Sequence, residues 1–345
     1  MSSRAFVSER QPSLGLDVQL GEGLTWIGWE SIINQGARVF IKPNLTWPTH
    51  IPGVTTTPEF IRAIVGILRT RTSNITVGES NGGYHSYLAE EAFRGHRVYE
   101  IAEEYGAQVV NLSRMPVENV QRMVAGRQVS VELPTLLLHE TDVFVTLPVP
   151  KVHAMTRVSL AFKNQWGCQP NTMRLRNHAL FDRKIIAINQ LVKPRLALYD
   201  GTYFLDKNGP MHGEAVKMDL IVVANDIGAG DLVVCSLMQS DPARVKHYRI
   251  ARQEGIFPAS LDEVELSQPI ERFKTRAFKL DRSIVNYIAL AGFNSSWLTY
   301  LLYESALGDF LHQLLYTVRR NKFMGRLLHG ELGPPNVAGT SKPHP

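Results

Sequence analysis

Three lysines, two histidines and two aspartates stand where a chain of this kind could do chemistry. Lys42, Lys151 and Lys163 each lie at or shortly after an apolar run, and each could hold a phosphate or carboxylate. Asn44, Glu79, Ser80, Asn81 and Asn164 offer neighbouring donors and acceptors that would orient such a group. His153 and His178 are candidates to move a proton, because imidazole titrates near neutral pH. A single histidine more often makes a structural hydrogen bond. Asp200 and Asp226 could orient a histidine, bind a hydroxyl or hold Mg²⁺ through water. The plainer use of Asp226 is to accept from a nearby backbone N–H. The expectation is thus a catalytic group of His153, His178 and Asp200. Beside it stands a binding group of Lys42, Asn44, Glu79, Ser80, Asn81, Lys151, Lys163, Asn164 and Asp226. No HExxH or comparable ligand spacing occurs, so no metal site is expected from the pattern itself. Cys168 could be a nucleophile after Trp166-Gly167, but without a basic partner it reads as a small packing residue.

These side chains need elements to carry them. Arg38-Val39-Phe40-Ile41 is a strand that runs into Lys42-Pro43-Asn44, and Ile75-Thr76-Val77 is one that runs into the loop Gly78 to Gly83. That loop matches neither GxxxxGK[ST] nor GxGxxG, so its backbone could cradle an anion without being either fingerprint. Val143 to Val149 is a third buried strand, delivering Lys151 and His153. Arg195 to Tyr199 ends in Asp200-Gly201, and Leu220 to Ala224 ends in Asn225-Asp226. Thr57-Pro58-Glu59 starts a helix that runs to Arg71. Further helices are predicted over 23–35, over 88–105 with a break at Gly95, over 183–192, and from about 230. Arg127 to Leu133 alternates as an exposed strand does, and 200–213 reads as a glycine-rich loop forming a lid or cleft wall. Alternating strands and helices with short connections predict an α/β fold. It has a mostly parallel sheet, helices on both faces and a C-terminal helical segment. In such a sheet the strand ends share one edge, where ligands bind.

Composition narrows the classes. With 345 residues, 44% hydrophobic and 20% charged, the chain can bury a large core. A net charge of +5 suits a small anionic partner, and no dense basic run points to nucleic acid. The two cysteines cannot bind an iron–sulfur cluster alone, and no apolar stretch of signal-peptide length opens the chain, so cytoplasm is the expected compartment. The expected organisation is an α/β domain over 1–265, a helical extension over 266–330 and a disordered tail over 331–345. Residues 283–303 carry no formal charge, but Asn286, Gly292 and Asn294 to Ser296 interrupt them. Trp297 to Tyr316 reads as an amphipathic helix packed on the core or on a second copy. Weak membrane contact through 283–320, helped by Arg319, Arg320, Lys322 and Arg326, is the other reading.

The ordered set KPN at 42–44, TTTP at 55–58, GESNGG at 78–83, LPVPKVHAMTRVSLAFKNQWG at 147–167, His178, DGTYFLDKNGPMHG at 200–213 and ANDIGAGD at 224–231 resembles the DUF362 family. The resemblance spans about residues 36–240 and implies the α/β fold. Relatives that carry a ferredoxin-like domain or a Tat signal imply redox chemistry, and these residues contain neither pattern, so any reduction would draw on an external donor protein. More loosely, the layout is similar to the N-terminal part of lactate-racemase-like proteins. The expected function is an enzyme acting on a small anion by proton transfer, as an isomerase or lyase, or by externally fed reduction as an oxidoreductase. The alternative is a non-catalytic binding or accessory protein at a membrane surface.

Overall fold

The structure, a computed structural model, describes residues 2–83, 86–175 and 178–282, then 286–287, 290, 295–303, 305–308, 310 and 336–338. One large sheet organises it. Its strands are β1 (Ser3–Glu9), β2 (Val39–Pro43), β3 (Ile75–Glu79), β4 (Gln108–Asn111), β7 (Val143–Leu147), β10 (Pro194–Asp206), β11 (Glu214–Ala224) and β12 (Val264–Leu266). They lie side by side in the order β12-β1-β11-β10-β7-β2-β3-β4. A separate antiparallel hairpin, β5 (Val117–Val124) and β6 (Arg127–Pro134), covers one flank. Two short strands, β8 (Lys151–His153) and β9 (Arg157–Ser159), extend the sheet beyond β10. A last one, β13 (Asn336–Ala338), pairs with the start of β11.

Helices cover both faces. α1 (Leu16–Ile27), α2 (Pro58–Arg69), α3 (Ala89–Gly95) and α4 (Val98–Tyr105) lie on one side, packed on Val39, Ile41, Val77 and Val145. On the other side are α6 (Ala161–Asn164), α7 (Phe181–Val192), α8 (Ile227–Leu237) and α9 (Lys246–Gln253), with the short α5 (Thr135–His139) beside the hairpin. Phe40, Phe144 and Tyr199 point to this second face, as the two-residue period of a strand requires. The architecture is therefore α/β, mixed but mostly parallel, with helices on both faces. α2 begins as expected: Thr57 Oγ1 accepts from Phe60 N at 3.2 Å and Pro58 takes the first helical position.

Four readings need correction. The helix expected over 23–35 runs Leu16–Ile27, because Gly28 adopts φ 74° and closes it. The helix expected from about 230 begins at Ile227, capped by Asp226. Residues 200–213 are not mainly a loop. β10 runs on to Asp206 and β11 starts at Glu214, so the two strands form a long hairpin. Gly201 permits this, since a Cβ there would sit 2.4 Å from Leu220 O, and the pairing register shifts beside it. Finally, β11 is antiparallel to both β10 and β1. Its end, Asn225-Asp226, therefore emerges at the opposite edge from the ends of β2 and β3.

α10 (Ser296–Tyr303) lies in the stretch expected to be helical from Trp297 to Tyr316, and a bend at Ser305 follows it. Expectations on Leu311 to Tyr316, on the basic residues 319–326 and on most of the tail fall outside the described residues.

Candidate functional site

Lys42 and Glu79 are brought together by the pairing of β2 with β3. Both are buried, and Lys42 Nζ donates to Glu79 Oε2 and to Pro43 O (3.1 Å). The other carboxylate oxygen accepts from Ser80 N at 2.9 Å. Gly167 lies directly over this ion pair: a Cβ there would be 2.7 Å from Glu79 Oε1 and 2.9 Å from Lys42 Nζ. Only a residue without a side chain lets the loop after α6 close on the charges.

That loop is built by amides. Asn164 Nδ2 donates to Lys42 O (3.1 Å) and Thr146 Oγ1 (2.9 Å), tying α6 to the ends of β2 and β7. Thr146 donates in turn to Gln165 Oε1 at 2.9 Å, and Gln165 Nε2 donates to Asn189 Oδ1 of α7 at 3.0 Å. From beneath, the buried Asp231 of α8 accepts from Ala161 N (2.7 Å) and Phe162 N (3.0 Å) at the start of α6. It also accepts from the hydroxyls of Tyr199 (2.6 Å) and Tyr248 (2.9 Å). Burial pushes the Asp231 carboxyl up to about 6 in spite of these four donors. Asp231 thus anchors the element that carries Lys163 and Asn164.

Lys163 is half-buried and placed differently from the other two lysines. Its ammonium lies 5.4 Å from the Phe181 ring centroid and 5.9 Å from that of Trp166. Among the described residues it has no ion pair and no hydrogen-bond acceptor. Burial lowers its pKa to about 7, with repulsion from Arg174 and Lys42 adding to the effect and Glu79 opposing it. Lys151 is fully buried, donates to Val54 O, and is likewise pushed down to about 7 by burial and by Lys163. Arg174 closes the cluster. Its guanidinium donates to Gln169 O (3.1 Å), Asn171 O (3.2 Å) and Asn81 O (3.1 Å), joining the β3 loop to the segment after α6. Two buried side-chain atoms of this region, Asn44 Oδ1 and Gln169 Nε2, have no hydrogen-bond partner among the described residues. The Cys168 thiol is buried beside the same charges and pushed up to about 12, so it stays protonated at neutral pH.

The remaining expected residues serve the frame around this cluster. Asn81 Oδ1 accepts from Ala89 N and from Asn111 Nδ2, both at 2.9 Å, fixing the start of α3. Ser80 is buried next to it. His153 shares a face of β8 with Lys151, and its Nδ1 accepts from Met155 N at 3.1 Å, which puts the ring proton on Nε2 when neutral. The Asp200 carboxylate accepts from Thr57 N (2.8 Å) and Thr202 Oγ1 (2.8 Å), pinning the start of α2 to β10. His178 falls in a 3₁₀ turn, His178–Leu180, and its side chain is outside the described residues. Asp226 lies away from this cluster. It accepts from Ala229 N at 2.8 Å as the cap of α8, and the strand register separates it from Asp200 by five residues, roughly 16 Å. The two aspartates therefore cannot share a Mg²⁺. Among the described residues, no group of three or more His, Cys, Asp and Glu could hold a metal.

Arg174, Gly167 and Asp231 were missed by sequence reasoning. Arg174 sits in a polar stretch with no periodicity, and the contact between Asp231 and α6 spans about seventy positions. The one available signal for Asp231 was its own type: an aspartate inside the otherwise apolar run Ile227 to Leu237.

Known proteins bear on this cluster. A family model described as "Domain of unknown function (DUF362)" matches residues 39–236, the span that holds Lys42, Glu79, Lys163, Asn164, Gly167, Arg174 and Asp231. The chain is 25% identical over 270 residues to the "Thylakoid-associated protein sll1697" of Synechocystis sp., covering 71% of this chain and 76% of that one. A crystal structure of a Thermotoga maritima protein aligns with a TM-score of 0.35 and 11% identity, over 60% of this chain and 54% of the other.

Proposed function

This chain belongs to the DUF362 family, and we propose that it is an enzyme whose cleft at the β2–β3 edge binds a small carboxylate or phosphate. One observation carries the reading. The positive charge of Lys42 is matched by Glu79, whereas Lys163 makes no ion pair among the described residues and faces the rings of Trp166 and Phe181. Half-buried, unbalanced cations are costly to the fold and are retained where an anion completes them. The same lysine can exchange a proton near neutral pH, which suits isomerisation or elimination at a carbon next to the bound anionic group. His153 and His178 remain the histidines proposed to assist. The test is a calorimetric titration of small carboxylates and phosphates into wild type and Lys163→Ala. Binding that weakens about tenfold or more in the variant supports the seat, and unchanged affinity for every ligand removes it.

A second reading concerns the C-terminal segment. Trp297, Tyr300 and Phe310 are 66%, 57% and 60% exposed, three large rings within fourteen residues. Arg319, Arg320, Lys322 and Arg326 follow in sequence. Aromatic rings followed by cations suit the interface of an anionic bilayer, and the Synechocystis relative is named for its association with thylakoids. Among the described residues no helix is long and apolar enough to cross a membrane, so contact would be peripheral. Wild type is expected to sediment with anionic lipid vesicles and a Trp297→Ser/Tyr300→Ser double variant is expected not to. Equal sedimentation of the two would remove the reading.

A further inference from the structure

We propose that the free edge of β5 is where a second copy of this chain docks, the two β5 strands pairing antiparallel about a two-fold axis at Val120. The two hairpins then make one four-stranded sheet. The inference does not depend on the anion proposed above.

The hairpin leaves that edge open. Among the described residues β5 and β6 pair only with each other. Their connection is the two-residue turn Ala125-Gly126, with φ 46° and 71°, so Val124 and Arg127 close it as a hydrogen-bonded pair. Counting back in twos, Val124, Arg122, Val120 and Glu118 turn their backbone groups toward β6. Val117, Asn119, Gln121 and Met123 turn theirs outward, and none of these outward groups has a hydrogen-bond partner among the described residues. A strand of eight residues with an unpaired edge and no proline is a template for another strand.

The sequence of β5 is complementary to itself. A ladder between two copies must set outward groups against outward groups. About an axis at Val120 these pairs are Val117 with the partner's Met123 and Asn119 with the partner's Gln121. The pairs between them, whose side chains come closest, are Glu118 with the partner's Arg122 and Val120 with the partner's Val120. Val117 and Met123 are 50% and 61% exposed, and this register covers each with the other. Val120 is half-buried on the face from which Val129, Val131 and Leu133 enter the core, so the axis continues that core across the junction. Arg122 is exposed and makes no ion pair among the described residues. Glu118 Oε2 lies 2.8 Å from His139 Nε2, which leaves Oε1 for the partner's Arg122. Moving the axis to Gln121 would instead set Glu118 against the partner's Val124 and Arg122 against the partner's Val120, with both charges facing valines. Self-complementarity of this kind selects a copy of the chain over a foreign strand.

The test is sedimentation velocity of the full chain over a range of concentrations. Wild type is expected to shift from monomer toward dimer as concentration rises. Glu118→Arg or Arg122→Glu sets like charges opposite each other twice, and each is expected to weaken the dimer about tenfold or more. The variant carrying both reversals is expected to regain the affinity of wild type. Gln121→Pro removes an outward N–H that the monomer does not use, and is expected to leave the far-UV circular dichroism unchanged and the chain monomeric. A wild type that stays monomeric at its highest soluble concentration overturns the proposal. So does a dimer that survives Gln121→Pro, that ignores the single reversals, or that the double reversal fails to restore.

Discussion

At the scale of single residues, the site is a conflict between burial and charge, which Lys42 resolves through Glu79. Lys163 is held where its proton is disfavoured. Its unfolded side chain keeps the proton to about 10.5 and the folded one only to about 7. Between those values the unfolded state binds more protons, so stability rises with pH, and below about 7 the penalty is present in full. Lys163→Met should therefore raise the urea midpoint at about pH 6, and the gain should shrink as pH climbs toward about 10. An equal gain at every pH would show that the ammonium is not penalised. Lys42, Glu79, Lys163 and Asn164 were legible because each ends or closely follows an apolar run, and that pattern survives in a linear string. Arg174 was not, because what recommends it is the set of carbonyls it joins, from residues 81, 169 and 171. Asp226 was misplaced for one reason: a strand's residues do not state its direction, and β11 runs backwards.

At the scale of elements, α6 is only Ala161–Asn164 and cannot hold itself in place. Its position comes from Asp231 below and from the Asn164–Thr146–Gln165–Asn189 chain beside it. Asp231→Ala would leave two backbone N–H groups and two tyrosine hydroxyls buried without acceptors. The expected loss is about 3 kcal/mol or more, read as a drop in urea midpoint, together with weaker anion binding. A variant with unchanged midpoint would mean that α6 is held by the amides alone. Helix starts with a cap and a proline, such as Thr57-Pro58, could be read from sequence since the signal is local. The β10–β11 hairpin could not. Gly201, Gly209 and Gly213 suggest a loop, whereas each is there because another backbone passes within about 2 Å of where a Cβ would be.

At the scale of the whole molecule, the sheet sets what can meet. β2, β3, β7 and β10 run the same way, so Lys42, Glu79 and the segments leaving β7 converge on one edge. The reversed β11 takes Asp226 to the other edge but starts α8 on the second face, and so delivers Asp231 to the start of α6. The alternation of strands and helices made the layered fold readable, and the reversal of β11 was not encoded in any local period. The central claim is that Lys163 is an anion's seat, and the most direct measurement is a crystal structure grown with glycolate. The expected result is a carboxylate within hydrogen-bond distance, about 3 Å, of Lys163 Nζ. A ligand bound elsewhere, or Lys163 paired with a carboxylate of the chain itself, would contradict it.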